Sequence, residues 1–252
     1  MKRHTGRHGM NYESLTESSH DAWIHLYRGH AFSRETQISY YLEGELTIME
    51  LDMELRKRSK GLHGICDLMA LLCQRHGLEC EPTMRLGITH SDIRKALTSM
   101  KGGRRLGTML DGMVNRKQAP DMERTMAYFG LKLEPEHATK EGEIKSGWLG
   151  LNLSNKAGKV VMSTHMTGSP LRALMMPGDE VVAINGMRTS TMKNLQTALK
   201  GKIGQKVEIT YTHEGMLRTC SIELPEAPKH NVKLAGKGNK NWQNYIASRQ
   251  DK

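Results

Sequence analysis

The chain has 252 residues, of which 37 are Lys or Arg and 27 are Asp or Glu, giving a formal net charge of +10. This length suits one large domain or two ordinary ones, and a hydrophobic content of 37% supports a packed core. No apolar run approaches the roughly 18 residues that would span a bilayer. The basic start, MKRHTGRHGM, has no apolar segment behind it, so we expect no secretory signal at this position.

Part of the positive charge lies in a tail after Pro228, where six basic residues face a single acid, Asp251. Such a charge can indicate nucleic acid or an anionic surface as a partner. The chain lacks the basic stretches interleaved with aromatic residues that stack on bases. We therefore expect a solvated tail and no nucleic-acid partner, with salt-dependent DNA binding as the alternative. The six residues are Lys229, Lys233, Lys237, Lys240, Arg249 and Lys252.

The four cysteines predict neither a zinc knuckle nor a redox motif, because no CxxC occurs. The first three are spaced by seven residues, which would place them on one helix face. Buried thiols in a reducing compartment are the simplest interpretation. We therefore expect a cytoplasmic, bacterial location, with the periplasm as the alternative if an upstream signal is missing. The four residues are Cys66, Cys73, Cys80 and Cys220.

The first half of the chain has the pattern of successive helices. Ser14 and Glu17 form a capping-box start, and Thr89 with Asp92 caps a further short helix. Gly130 is predicted to end the last helix of the series. Apart from the short helix that Thr89 caps, the predicted helices span residues 14–28, 35–59, 62–76, 103–117 and 121–129.

The predicted helix at 35–59 contains an unusual stretch, SYYLEGELTIMELDMEL, at residues 39–55. A tyrosine pair enters the helix, and Gly44 sits in its body at a cost of about 1 kcal/mol relative to alanine. Two interpretations are open from the residues alone. The tyrosines pack at the helix start, or the phenols and the bare backbone have a chemical role.

From about residue 145 the pattern changes to short strands separated by turns: GWLGLNLS, GKVVMSTHM, DEVVAING, QKVEITYTHEG and MLRTCSIELPE. Two short helical pieces, SPLRALMM and TMKNLQTALKG, interrupt them. This order predicts a small, partly open β-barrel after a polar boundary at residues 134–147. We therefore predict an α+β chain with a helical region at 1–135, a strand domain at 145–225, and a basic tail with a short terminal helix at 229–252.

The most specific motif is MPGDEVVAINGMRT, residues 176–189. A Pro-Gly turn leads into a buried strand, which ends at an Asn185-Gly186 hairpin turn. The motif follows the short helix of GSPLRALMM. This order, together with the helix before the final two strands, resembles a circularly permuted PDZ domain of the bacterial kind.

The PDZ resemblance implies a peptide-binding site. WLGL at residues 148–151 corresponds to the carboxylate-binding loop, where glycine allows backbone N–H groups to point inward. The following strand offers an open edge to which a peptide can add. The implied peptide-binding residues are Trp148, Leu149, Gly150 and Leu151 in the loop, with Leu195 and Leu199 lining the side-chain pocket.

The helical region also resembles a known family. LTESSHDAWIHLYR and ISYYLEGELTIMELDMELRKRS are similar to the C-terminal half of the catalytic domain of glycyl aminopeptidases, which are gluzincin-type zinc metallopeptidases that carry a PDZ domain. GGRRLGTMLDGMVNRKQAP, a helix ending in YFGLKLE, and the closing NWQNYIAS match the family in order. The family motif, Tyr-x-Lys-Gly, stands here as residues 41–44. The resemblance implies that Tyr41 donates a hydrogen bond to the oxyanion of peptide hydrolysis, and that Gly44 allows close approach of a neighbour or substrate.

Two features depart from the family pattern. Glu43 replaces the lysine and Glu45 replaces an alanine, and negative charge beside an oxyanion would oppose it. The HExxH zinc motif is also absent, since His4 and His8 have its spacing but Thr5 occupies the glutamate position. We therefore expect no metal ligands in this chain, zinc ligands upstream of residue 1, and a truncated chain.

Two functions stay open. The first is a truncated, PDZ-containing zinc aminopeptidase-like protein that is not proteolytic by itself, binds peptide C-termini, and depends on a separate metal-binding half for hydrolysis. The second is a dedicated PDZ adaptor whose helical region is a scaffold. Both predict peptide or protein C-termini as partners, no cofactor held by this chain alone, and no membrane association.

Overall fold

The computed structural model describes residues 9–30, 32–78, 87–136, 144–228 and 231–250. These residues divide into two compact units. The strand unit contains residues 144–228 together with the described parts of 9–12, 21–38, 134–136 and 231–233. The helical unit contains residues 13–20, the described parts of 39–133, and 234–250.

The described residues form ten α-helices and eight strands, together with a 3-10 helix at Gly9–Asn11 and a π-helix at Gln74–Leu78. The helices are α1 (Leu15–His20), α2 (Ala22–Tyr27), α3 (Ser33–Thr36), α4 (Tyr40–Arg58), α5 (Ile65–Cys73), α6 (His90–Ser99), α7 (Leu106–Asn115), α8 (Met122–Tyr128), α9 (Met192–Leu199) and α10 (Lys240–Gln250). The strands are β1 (Lys132–Glu136), β2 (Leu151–Lys156), β3 (Lys159–His165), β4 (Val181–Ile184), β5 (Met187–Arg188), β6 (Lys206–His213), β7 (Met216–Glu223) and β8 (Asn231–Ala235). The predicted mixture of helices and strands is confirmed.

Two of the long helices predicted from the sequence are wrong in extent, because each is broken by a residue that favours a cap. The first divides at Asp21, whose carbonyl accepts the N–H groups of Ile24 and His25 as α2 begins. The second divides before Ser39, whose hydroxyl accepts the Leu42 N–H at 3.4 Å and caps α4. The Ser39 side chain therefore caps its helix, whereas Asp21 occupies the N-cap position of α2 without a side-chain cap bond.

Local capping signals are confirmed where the sequence showed them most clearly. The Ser14 N–H donates to the Glu17 carboxylate at 2.8 Å, and the Thr89 N–H donates to that of Asp92 at 3.0 Å. Gly130 follows α8 with a left-handed φ of +71°. Each cap depends on residues within one helical turn, so the local sequence determines it.

The core of the helical unit forms where α4, α5, α6 and α7 pack together. Its buried side chains are aliphatic or methionine, as expected of a chain rich in methionine and poor in phenylalanine. They are Leu51, Leu55, Leu68, Leu72, Ala96, Leu97, Leu106, Leu110 and Met113.

The C-terminal residues also pack into the helical unit. Phe129 is fully buried and makes ring contacts with Trp242 and Tyr245 of α10, with centroids 5.7 and 5.1 Å away. The Tyr245 ring lies under the guanidinium of Arg56 at 5.5 Å. Lys233, Lys237 and Lys240 of the tail are exposed, as expected of solvated charges, whereas the aromatic residues of α10 supply apolar area to the core.

The strand unit contains two sheets. One is the antiparallel hairpin of β2 and β3, and the other has the strand order β5-β4-β6-β7. The predicted turn at Asn185-Gly186 is confirmed, since both residues have positive φ and join β4 to β5. Helix α9 contributes to a core whose buried members are Leu149, Val160, Met162, Leu171, Met175, Val181, Ile184, Leu195, Ala198, Leu199, Val207, Ile209, Tyr211 and Leu224.

A third, two-stranded sheet pairs β1 with β8. Each of these two strands begins in one unit and ends in the other. The predicted bounds 1–135, 145–225 and 229–252 follow sequence pattern, whereas the compact units place residues 21–38 with the strands. The predicted domain bounds therefore stay predictions.

The expectation of buried thiols is wrong for Cys73, which is exposed at the end of α5. Cys66 and Cys220 are half-buried and free, and burial raises the pKa of the Cys220 thiol. Cys80 and the histidines at positions 4 and 8 lie outside the described residues. Among the helices that the structure describes, none combines the length and apolar character that crossing a bilayer requires.

Candidate functional site

The loop before β2 is built around Gly150, which has a left-handed backbone with a φ of +70°. This region disfavours residues that carry a Cβ. The position is also crowded, because a Cβ here would lie 2.5 Å from the Ser169 Cα. The Ser169 hydroxyl donates to the Leu149 carbonyl at 3.1 Å. Glycine therefore allows the loop to pack directly against the turn at residue 169.

Two backbone N–H groups of this loop have no hydrogen-bond partner among the described residues. Leu149 is 4% exposed and Gly150 is buried, yet neither N–H donates a hydrogen bond to any residue that the structure describes. A buried N–H without a partner costs about 1–3 kcal/mol. Adjacent amides at a positive-φ turn make a concavity that favours anions. The loop is therefore suited to a carboxylate.

Helix α9 packs beside β2, the strand that follows this loop, and the space between them is called the groove below. At one end, the Gly147 N–H donates to the Leu199 carbonyl at 2.9 Å. At the other, the Asn155 amide donates to the Ser190 carbonyl at 3.2 Å. These contacts place α9 alongside β2 in the opposite direction. Among the described strands, β2 pairs only with β3, so its other edge keeps unpaired backbone groups.

The six residues predicted to bind a peptide all belong to the strand unit. Leu195 and Leu199 are 2% and 7% exposed and belong to its core, so they can form the floor of the groove but present little surface. Leu151 begins β2 and is half-buried. Trp148 is half-buried, and its backbone N–H donates to the Pro225 carbonyl at 3.0 Å.

Tyr41, the predicted oxyanion donor, belongs instead to the helical unit. It lies in the first turn of α4, and 72% of its surface is exposed. Its ring contacts that of Tyr40, with centroids 4.3 Å apart. The phenol is therefore accessible, and the N-terminal turn of α4 supplies a positive partial charge nearby.

The residues around Tyr41 refine the sequence interpretation. Glu45 lies one helical turn from Tyr41 on the same exposed face, whereas Glu43 is only 7% exposed on another face. Glu45 is therefore the carboxylate whose negative charge acts on the Tyr41 phenol. The expected close approach of a neighbour at Gly44 is wrong for the described residues, since a Cβ there would meet nothing within 4 Å.

The side chains that the structure describes do not include a zinc site. Zinc in hydrolases takes three protein ligands drawn from histidine, cysteine and carboxylates. Among the described residues, no group of three such side chains is placed to hold a metal ion. His213, which precedes a glutamate in the sequence, binds the Asp179 carboxylate at 3.1 Å instead. The described residues do not fit a zinc centre.

The structure adds a cluster that the sequence did not reveal. Glu35 of α3 is 3% exposed, and one of its carboxylate oxygens accepts the His165 backbone N–H at 2.7 Å and the ring Nδ1 at 2.8 Å. Its other oxygen pairs with the Arg172 guanidinium at 3.2 Å. His165 lies 130 residues further along the chain, so no local pattern could have shown the contact.

The pKa of Glu35 reflects two opposing effects. Burial raises it, but the hydrogen bonds from His165 and the charges of His165 and Arg172 outweigh burial and leave the pKa below its ordinary value. The Nε2 of His165 is buried and has no hydrogen-bond partner among the described residues. The Glu35 carboxylate can only accept, so the ring contact at 2.8 Å is a hydrogen bond that Nδ1–H donates to Glu35.

An unpaired strand edge, a glycine loop with available amides and a flanking helix together define a domain of the peptide-binding class. Residues 147–224 match the PDZ domain family model, which confirms the PDZ resemblance. Residues 1–47 match the M61 glycyl aminopeptidase family model, which confirms the peptidase resemblance over that segment. No curated protein matches the chain.

Solved structures support the fold as a whole. A crystal structure of an aminopeptidase N family protein from Idiomarina loihiensis is 18% identical, covers 97% of this chain and superposes with a TM-score of 0.81. This chain spans 42% of the length of that one. The HtrA-type protease AlgW with a decapeptide is 17% identical over 44% of this chain and 36% of its own, with a TM-score of 0.32, which is too low to support an inference.

We predict that Gly150→Ala weakens the strand unit more than Gly158→Ala does. Both glycines have positive φ, +70° and +74°, so both variants incur a backbone cost of roughly 1–2 kcal/mol. Only at Gly150 would the Cβ also clash, since nothing lies within 4 Å at Gly158. Urea unfolding of the two variants measures the difference, and equal losses would show that the loop is not tightly packed.

We predict that Glu35 stabilises the protein near neutral pH and loses this effect in acid. A carboxyl whose pKa is lower when folded contributes above its unfolded pKa of about 4.3 and loses that contribution as pH falls through the folded value. The difference in unfolding free energy between the wild type and Glu35→Gln should therefore shrink from pH 7 to pH 3. Glu223→Gln, which removes an exposed strand carboxylate, is the control. A difference that stays constant over this range would contradict the prediction.

Proposed function

We propose that the strand unit binds the free C-termini of peptides or proteins in the groove between β2 and α9. The observation that carries this proposal is the pair of buried amides at Leu149 and Gly150, without partners among the described residues, at the head of an unpaired strand edge. A carboxylate supplies the acceptors that both amides need. A neutral or amidated end would supply a weaker acceptor.

The groove also sets the direction of the bound chain. The carboxylate-binding loop lies beside the Leu199 end of α9, and Asn155 lies near its start. A peptide whose carboxylate occupies the loop would run antiparallel to β2 and pair with its free edge. The apolar surface between strand and helix comes from Leu151 and Leu153, which are half-buried against the core. We infer that this surface takes the last side chains of the peptide.

We further propose that the domain has the circularly permuted PDZ order and the partly open barrel predicted from the sequence. The placement of β2 directly after the binding loop, and of α9 before the last two strands, supports that order. Three described cysteines without a disulfide suit a reducing compartment, and we propose a cytoplasmic location on that basis.

A second function is favoured by the match of residues 1–47 to the M61 glycyl aminopeptidase family. We propose that Tyr41, exposed at the start of α4, serves as the oxyanion donor of a zinc peptidase centre whose metal ligands are supplied by another part of the protein or by a separate chain. In this role the strand unit would hold the C-terminus of a substrate or partner. The adaptor remains the alternative, in which the helical unit acts only as a scaffold.

We predict that a pool of fluorescent peptides with varied C-termini contains sequences that bind the full chain at micromolar strength. Amidating the terminal carboxylate should weaken the best of them about tenfold or more, because the loop amides lose a charged acceptor. Fluorescence anisotropy at fixed salt measures both forms. The Gly158→Ala variant should bind as the wild type does, whereas Gly150→Ala should lose the preference. Equal binding of acid and amide would reject the proposal.

We predict that the purified chain supplied with zinc does not hydrolyse aminopeptidase substrates above background. The described residues lack a ligand set for the metal that would activate water. Release of amino acids measured with and without zinc, and with Tyr41→Phe as the matched variant, tests this. Stoichiometric zinc binding with cleavage that falls in Tyr41→Phe would show that this chain holds a complete centre.

A further inference from the structure

We propose that Glu35 is a positioning residue for the peptide groove. This inference rests on the proposed peptide binding. Glu35 belongs to α3, within a segment of the strand unit that precedes the binding loop by more than a hundred residues in sequence. Its carboxylate fixes the two pieces of backbone that hold the loop, and it thereby sets the affinity and selectivity for a terminal carboxylate.

The first piece is the end of β3. Glu35 accepts both the backbone N–H and the ring Nδ1–H of His165 through one oxygen. His165 is the register partner of Leu151, the first residue of β2. The next N–H, that of Met166, donates to the Gly150 carbonyl at 2.7 Å. A shift of His165 would therefore be transmitted directly to the Gly150 peptide unit.

The second piece is the turn on the other side of the loop. The second oxygen of Glu35 pairs with Arg172, whose backbone N–H donates to the Ser169 carbonyl at 3.4 Å. Ser169 in turn donates its hydroxyl to the Leu149 carbonyl and packs against Gly150. One carboxylate thus contacts both backbone segments that hydrogen-bond to the loop.

A charged carboxylate suits this role better than a neutral side chain. Three N–H donors, two from His165 and one from Arg172, converge on its two oxygens, and a carboxylate can accept all of them. A glutamine of the same shape would accept at one atom and present N–H groups at the other, where a donor already lies. The two backbone segments would then shift by a fraction of an ångström. Such a shift matters for a site that must hold an anion at hydrogen-bond distance.

The alternative is that the cluster only attaches α3 to the strand unit and contributes to stability alone. Loss of stability reduces the fraction of active protein, and it lowers binding of every peptide equally. A change in loop geometry instead alters the ratio of affinities for the acid and amide forms of one peptide. This ratio separates the two roles.

The test uses the full chain and the best free-carboxylate peptide from the pool, together with its C-terminal amide. We expect Glu35→Gln to bind the acid form about tenfold more weakly, with the amide form little changed and the stoichiometry preserved. Glu35→Asp keeps the charge but not the reach, and it should restore part of the ratio. Glu223→Gln makes the same change of charge on an exposed strand and should match the wild type.

Each outcome decides the matter. An unchanged acid-to-amide ratio in Glu35→Gln, whether at full or reduced stoichiometry, overturns the inference. If Glu35→Gln does not fold, Arg172→Gln decides, since this side chain is 41% exposed and its removal should lower the ratio roughly threefold; an unchanged ratio there overturns the inference too. A wild type that does not distinguish acid from amide rejects the proposed function itself.

Discussion

The left-handed backbone at Gly150 is the constraint on which the candidate site depends. It turns the chain sharply enough for Ser169 to pack against the loop, and it leaves the amides of Leu149 and Gly150 without partners among the described residues. Directly after this turn, β2 begins with one edge paired and the other open. A single residue without a side chain therefore determines where the loop turns and where the adjoining strand edge starts.

The strand unit is more than the sequence-defined PDZ segment. Residues 21–38 belong to the same compact unit, although the peptidase family match covers them. Glu35 explains this grouping, because a buried carboxylate needs several donors and finds them on His165 and Arg172. Glu35, within the segment of the peptidase match, is thus joined by hydrogen bonds to residues of the PDZ segment in one unit.

The sequence predicted features whose determinants are close together in the chain. The caps at Ser14 and Thr89 and the turn at Asn185 were found because each needs only three or four neighbouring residues. Helix continuity was overestimated at Asp21 and Ser39, and at Ser39 a side-chain cap competes with a continuous helix. The contacts of Glu35 could not be predicted, since its partners are 130 or more residues away and a lone glutamate on a short helix has no signature. The loop at Trp148 to Leu151 was located through resemblance, and its ligand stays a prediction.

The chain alternates between the two units rather than completing one before starting the other. Residues 13–20 and 234–250 both belong to the helical unit, on either side of the long strand-rich segment in sequence. No single cut in the polypeptide can therefore release either unit intact. Trimming after residue 228 would leave Phe129 without the rings of Trp242 and Tyr245. Dissection of this protein into separate pieces has to follow the spatial grouping of its segments, with the extreme C-terminus carried by the helical piece.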